Sequence, residues 1–262
     1  MPTLSRPHCE LYYEVSGEGP TIVFAHGAGG NHLSWWQQVP VFNAAYRCVV
    51  FDHRGWGRSI ESAGGPGPDA FVDDLLVLLD ALEIDRAALI AQSMGGRTCL
   101  GVSLRAPERV SALVMADTTG GFLTEAMRPA YEQARTRLRQ EGLASLAYHA
   151  GLPEREPALA FLYDEIMALN PPRDPGMMNA INRVVPDPED VAALQMPLLW
   201  VVGSDDALVP AAVIRAAHAH VAGSEYFEVP EAGHSVYFER AAEFNARVKQ
   251  FLSDCGWGGE TG

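Results

Sequence analysis

The chain has 262 residues, 48% of them hydrophobic and 20% charged, which supports a large buried core and excludes a disordered polymer. Its formal net charge is −14 and its pI about 4.9, which argues against nucleic-acid partners and against anionic membrane surfaces. Lys249 is the only lysine and falls in a polar C-terminal helical pattern, so chemistry through a Schiff-base or pocket lysine is excluded.

Along the chain, the opening residues Met1-Pro2-Thr3-Leu4-Ser5-Arg6 lack the apolar core of a signal peptide. No run approaches the roughly 20 apolar residues of a membrane helix. Cys9, Cys48, Cys99 and Cys255 are widely spaced, with no CxxC and no clustered histidines, so reduced thiols are expected and no metal site. A soluble, cytoplasmic protein is the expectation. Short apolar runs at residues 10–15, 21–25, 48–51, 87–90, 112–115, 198–202 and 225–229 read as strands, and they alternate with helical patterns such as residues 69–82 and 93–105. Between residues 118 and 190 the strand pattern stops. Helical stretches at 124–140, 143–150, 157–169 and 175–183 are punctuated there by Pro153, Pro171, Pro172 and Pro186. The expected architecture is α/β: a mostly parallel, doubly wound sheet built from residues 1–117 and 191–262, with a helical lid of residues 118–190 inserted between two strands.

The strand at 87–90 runs into Ala91-Gln92-Ser93-Met94-Gly95-Gly96. A nucleophile elbow needs small residues two before and two after its serine, because neighbouring backbone passes close by. Gly95 meets the second requirement, and Ala91 replaces the usual first glycine. A serine hydroxyl is a poor nucleophile without a base. His234, in Gly233-His234-Ser235 just after the last predicted strand, stands where a loop reaches the C-terminal edge of the sheet. The acid that would orient it is one of Asp206, Asp205 or Asp117, all of which follow predicted strands; the chain order Ser93, Asp206, His234 favours the first. His26-Gly27-Ala28-Gly29-Gly30 follows the strand at 21–25 and is spaced unlike a dinucleotide loop. It makes the backbone N–H groups of Ala28 and Met94 the candidate oxyanion donors, with His26 as a structural anchor.

These motifs resemble the α/β-hydrolase fold superfamily over nearly the whole chain. Phe51-Asp52-His53-Arg54-Gly55-Trp56-Gly57-Arg58-Ser59 is similar to the family's D-x-R-G-x-G-x-S loop, in which Asp52 is structural. Gly203 to Pro210 is similar to G-x-x-D-x-x-x-P, which implies Asp206 as the acid. Gly233-His234-Ser235 with Glu239 is similar to the terminal histidine motif. Arg105-Ala106-Pro107-Glu108-Arg109-Val110 and the run to Thr118 resemble the enol-lactonase, esterase and non-haem haloperoxidase branch. Members that open epoxides or remove halides carry aspartate where this chain has Ser93, and carbon–carbon hydrolases usually have asparagine where it has Gln92. The resemblance implies a cofactor-free serine hydrolase of a carboxylic ester or lactone, working through an acyl-enzyme. A carbon–carbon bond hydrolase, a perhydrolase or haloperoxidase, and a ligand-binding receptor are the alternatives. The partner expected is a small, largely apolar molecule, with Trp35, Trp36, Phe122 and Tyr131 as candidate pocket walls.

Overall fold

The computed structural model describes residues 2–172 and 176–258. Its strands are β1 (Thr3–Arg6), β2 (Cys9–Ser16), β3 (Thr21–Ala25), β4 (Arg47–Phe51), β5 (Ala87–Gln92), β6 (Val110–Ala116), β7 (Leu198–Gly203) and β8 (Glu225–Val229). They form one sheet in the order β1-β2-β4-β3-β5-β6-β7-β8. β1 and β2 pair antiparallel, as do β2 and β4, and every later pairing is parallel. The longer helices are α1 (Phe71–Ala81), α2 (Gly95–Arg105), α3 (Arg128–Glu141), α4 (Pro157–Ala168), α5 (Ala211–His220) and α6 (Ala241–Asp254).

The central strands β3, β5, β6 and β7 are buried at every position and mostly apolar because helices cover both faces of the sheet. With Phe24 beside Ile90 and Val23 beside Leu89, alternate residues enter different cores. Val23, Leu89 and Leu113 pack with Leu75 and Leu78 of α1, Cys99 and Leu100 of α2, and Val213 and Ile214 of α5. Ile22, Phe24 and Ile90 pack on the other side with Phe42 and with Val248, Phe251 and Leu252 of α6.

All seven predicted strands are present, within two residues at each end. β1 was not predicted: its Thr-Leu-Ser-Arg alternates exposed and half-buried residues and carries no apolar signal. The predicted helix at 69–82 opens instead with a 3-10 turn at Gly67–Ala70. Among the described residues, the segment between β6 and β7 is helical with no strand. It holds α3, α4 and the short helices Leu143–Leu146, Leu152–Arg155, Met177–Ile181 and Pro188–Ala192. The predicted helix at 175–183 begins on Pro175, which lies outside the described residues. Leu152–Arg155 and Pro188–Ala192 were unpredicted: Pro153 read as a breaker, and the run after Pro186 carried no helical signal. Proline is tolerated in a first helical turn, whose N–H groups have no intrahelical partner anyway.

Parallel pairing puts the C-terminal ends of β3, β5, β6 and β7 on one edge, together with β8, and the loops that follow these strands converge there. Among the described residues, no helix is long and apolar enough to cross a membrane.

Candidate active site

Ser93 follows β5 directly with φ +49°, a left-handed backbone rarely adopted by non-glycine residues. That conformation is incompatible with a helix, so α2 begins two residues later, at Gly95, and not at Ser93 as predicted. Gly95 lies so close to β3 that a Cβ there would stand 2.2 Å from the carbonyl oxygen of Ala25. Ala91 is fully buried within β5, so the extra methyl has been accommodated in the core.

His234 brings its Nε2 to 2.8 Å from Ser93 Oγ, across 141 positions of chain. Its Nδ1 lies 3.0 and 2.9 Å from the two carboxylate oxygens of Asp206. Asp206 Oδ1 also accepts the backbone N–H groups of Leu208 at 2.8 Å and Val209 at 2.9 Å, which fixes the carboxylate. A neutral His234 therefore donates from Nδ1 and accepts the Ser93 hydroxyl proton at Nε2. Burial alone would push the imidazole pKa down. The Asp206 carboxylate outweighs it and holds His234 above the ordinary imidazole value of 6.5.

The two other candidate acids are placed differently. Asp205 is exposed and accepts the Ser204 hydroxyl at 2.6 Å. Asp117 ends β6 with φ +55° and is fully buried. Its oxygens accept the N–H groups of Gly203 and Val236, each at 3.1 Å, so it stitches β7 to the histidine loop. Burial, and then the neighbouring Asp206, push the Asp117 carboxyl well above the usual carboxylate range. Asp52 is buried too, and its carboxylate accepts the N–H groups of His32 and Arg58.

Ala28 and Met94 share an apolar cluster with Trp56, Phe71 and Ile181. The Trp56 indole N–H holds the Ala28 carbonyl at 2.8 Å. His26 Nδ1 lies 2.8 Å from Gly27 O, and its Nε2 accepts the His53 backbone N–H at 3.0 Å, which pins the loop from behind. Met94 caps α2, whose first N–H groups lack intrahelical partners and favour negative charge.

Two contributors escaped the sequence reading. The Gln92 carboxamide, buried at the end of β5, donates to the His234 carbonyl at 2.7 Å. The cluster around Ala28 and Met94 supplies Trp56, Phe71 and Ile181, with Leu143 and Met177 packed against it. The only prior sign of Gln92 was its place beside Ser93. Three expected pocket walls are corrected. Trp35 is fully buried against Phe24 and Tyr237 in the core. Trp36 is 43% exposed and packs edge-on to Phe238 at the surface, because its neighbour occupies the inward position of the 3-10 turn His32–Trp35. Phe122 is fully buried between Trp200 and His220 on the α5 side of the sheet. Tyr131 lies on α3, half-buried, with the Arg135 guanidinium 5.9 Å from its ring centre. A cleft of about 590 Å³ lined by Arg86, Leu104, Val110 and Pro197 opens where β6 and β7 begin, the edge of the sheet opposite Ser93.

Known proteins resemble the chain over most of its length. A Caulobacter sp. strain K31 protein whose name proposes a carbamate hydrolase is 28% identical, across 93% of this chain and 96% of its own. The pimeloyl-[acyl-carrier protein] methyl ester esterase of Vibrio parahaemolyticus is 27% identical, across 93% and 98%. The crystal structure of the enol-lactonase from Burkholderia xenovorans LB400 superposes with a TM-score of 0.78 at 25% identity, covering 96% of this chain and all of that one. The family model described as alpha/beta hydrolase fold matches residues 20–241. That match runs from just before β3 to the first residue of α6 and takes in every loop of the converging sheet edge. The chain belongs to the α/β-hydrolase fold family.

Proposed function

We propose that this hydrolase cleaves a carboxylic ester or lactone with Ser93 as nucleophile, His234 as base and Asp206 as the group that orients it. The observation that carries the reading is the continuous line of hydrogen bonds from Ser93 Oγ through His234 to Asp206, beginning at a strained elbow serine. Strain held at one residue beside a buried base is expected of a working nucleophile. The ester-cleaving and lactone-cleaving names among its relatives agree with that chemistry.

His234 Nε2 takes the Ser93 proton as Oγ attacks the substrate carbonyl carbon. The tetrahedral oxyanion is held by the N–H groups of Ala28 and Met94. Collapse expels the alcohol, which takes the proton back from His234, and leaves an acyl-Ser93. Water, deprotonated by His234, then releases the acid and restores the serine. Asp206 keeps the proton on Nδ1 and stabilises the imidazolium.

Residues 118–190 act as a cap in this reading. Leu143, Met177 and Ile181 from that segment join Ala28, Met94, Trp56 and Phe71 in one apolar cluster. The acyl or alcohol part that packs there is correspondingly apolar. Carbamates, suggested by the Caulobacter relative's name, belong in the same substrate panel because their carbonyl undergoes the same addition.

Turnover of p-nitrophenyl esters, simple lactones and carbamates by wild type and Ser93→Ala tests the reading. A fall of about 10³-fold or more in the variant is expected. Equal turnover in both would remove Ser93 as the nucleophile.

A further inference from the structure

Glu239 is a buried carboxylate with no part in the acyl-transfer steps. It ends the one-turn helix Val236–Glu239 and is 8% exposed. Its Oε1 accepts the N–H of Gly233 at 3.0 Å and that of Ser235 at 3.4 Å, the amides immediately before and after His234. Its Oε2 accepts the N–H of His149 at 3.0 Å, from the helical segment between β6 and β7. The same seam is closed by Ser235 Oγ donating to Ala147 O at 2.7 Å and by the Tyr163 hydroxyl 3.2 Å from Ser235 Oγ. Gly233 lies so near this backbone that a Cβ would stand 2.2 Å from the nitrogen of His149.

We propose that Glu239 is a positioning residue for His234: its carboxylate fixes the two amides flanking the imidazole and fastens them to residues 147–149, so that the cap sets the reach of the base to Ser93. The proposal rests on Ser93, His234 and Asp206 acting as read above. Two features favour it over a plain packing role. Three backbone N–H groups converge on two oxygens that both accept, an arrangement a carboxamide cannot reproduce because its NH2 would face one of the donors. The negative charge also stands among the groups that face His234, which are Asp206 from the loop after β7, Asp117 from the end of β6 and Glu239 itself. Across the seam Glu239 faces His149.

The test is the rate at which diisopropyl fluorophosphate phosphorylates the protein between pH 5 and 9, in wild type, Ser93→Ala, Glu239→Gln and Glu239→Asp. Ser93 Oγ forms the P–O bond, fluoride leaves and His234 takes the proton, so the reading needs no known substrate. Wild type is expected to label once per chain and Ser93→Ala not at all. Glu239→Gln is expected to label slower by on the order of 10²-fold, the cost of a displaced catalytic group. Its half-maximal pH should also fall, because removing an anion lowers the imidazole pKa. Glu239→Asp keeps the charge but loses reach, so it should be slow with the wild-type midpoint; it carries the test alone if the glutamine variant does not fold. Wild-type rates in both variants would overturn the proposal whatever their melting temperatures. A Glu239→Gln midpoint that fell while its plateau rate stayed at the wild-type value would make Glu239 an electrostatic neighbour of the imidazole and not a positioning residue, and would overturn the proposal as well. A wild type that does not label would defeat the Ser93 reading itself, and this one with it.

Discussion

At the C-terminal edge of the sheet, His234 and Asp206 are 4% and 5% exposed, and the strands that deliver Ser93 and Asp206 are buried at every position. In the segment between β6 and β7, Phe161, Leu169, Val184 and Val185 are 60% to 67% exposed. The segment meets the core at a few seams. Asn31 donates to Ile166 O at 2.9 Å, Arg97 donates to Val184 O and to Asn182 Oδ1, and Glu239 grips His149. The difference separates two kinds of region. In the proposed reaction, proton transfer between Ser93 and a His234 oriented by Asp206 requires positions held to a fraction of an ångström, which ladder hydrogen bonds and two-sided burial provide. The outer helices of the segment between β6 and β7 leave apolar side chains exposed and so contribute less buried area there.

Mutations at the two regions should therefore separate activity from stability. The largest effect expected is from Asp206→Asn. Its one oxygen can still serve the Leu208 and Val209 amides, but its NH2 faces Nδ1–H and selects the wrong tautomer. Steady-state kinetics should show kcat falling by about 10³–10⁴-fold, with the thermal midpoint little moved. Trp200→Ala, in the core behind that edge, should do the reverse in kind: urea unfolding should reveal a loss of about 3–5 kcal/mol, with the chemistry of the surviving folded protein intact. Gln92→Ala strips the donor from a buried carbonyl behind the base and should lower kcat/KM by roughly tenfold, in line with about 1–3 kcal/mol for a buried acceptor left unpaired.

The pH profile sharpens the same contrast. His234 acts as a base only when neutral, and its pKa is raised, so kcat/KM should rise with pH through a limb lying above 6.5. A limb below that value would mean that Asp206 does not govern the imidazole. The sign for folding is equally definite. A raised histidine pKa stabilises the fold below the unfolded value, and that contribution is lost as pH rises through the folded one. Smallest of all should be Phe161→Ser on the exposed side of α4, within about 0.5 kcal/mol of wild-type stability. A larger loss there would show that the outer helices support the core after all.

Much of the core and its reactive groups was legible because each rests on a local rule. Two-sided burial makes β3, β5, β6 and β7 predominantly apolar, and any strand-to-helix turn carrying Ser93 needs Gly95 beneath it. Where a signal depends on partners distant in sequence, the reading ran short. β1 is half-exposed and its Ser5 and Arg6 side chains find polar partners in Glu10 and Asp74, so it carries no apolar signal. Trp35 and Trp36 look equivalent until a 3-10 turn assigns one inward and the other to the surface. Gln92 meets the His234 carbonyl, and Glu239 the His149 amide, only once the fold brings those loops near.

What the sequence by itself determined was therefore seven of the strands, the longer helices and the candidacy of Ser93 and His234, since periodicity and close-approach glycines are properties of neighbouring residues. Only the tertiary structure decided among the three aspartates. All three follow strands, but parallel pairing and the turn after β7 aim Asp206 at Nδ1, leave Asp205 in solvent, and engage Asp117 with the amides of Gly203 and Val236. The choice is made by distances between loops that share an edge of the sheet and are far apart along the chain.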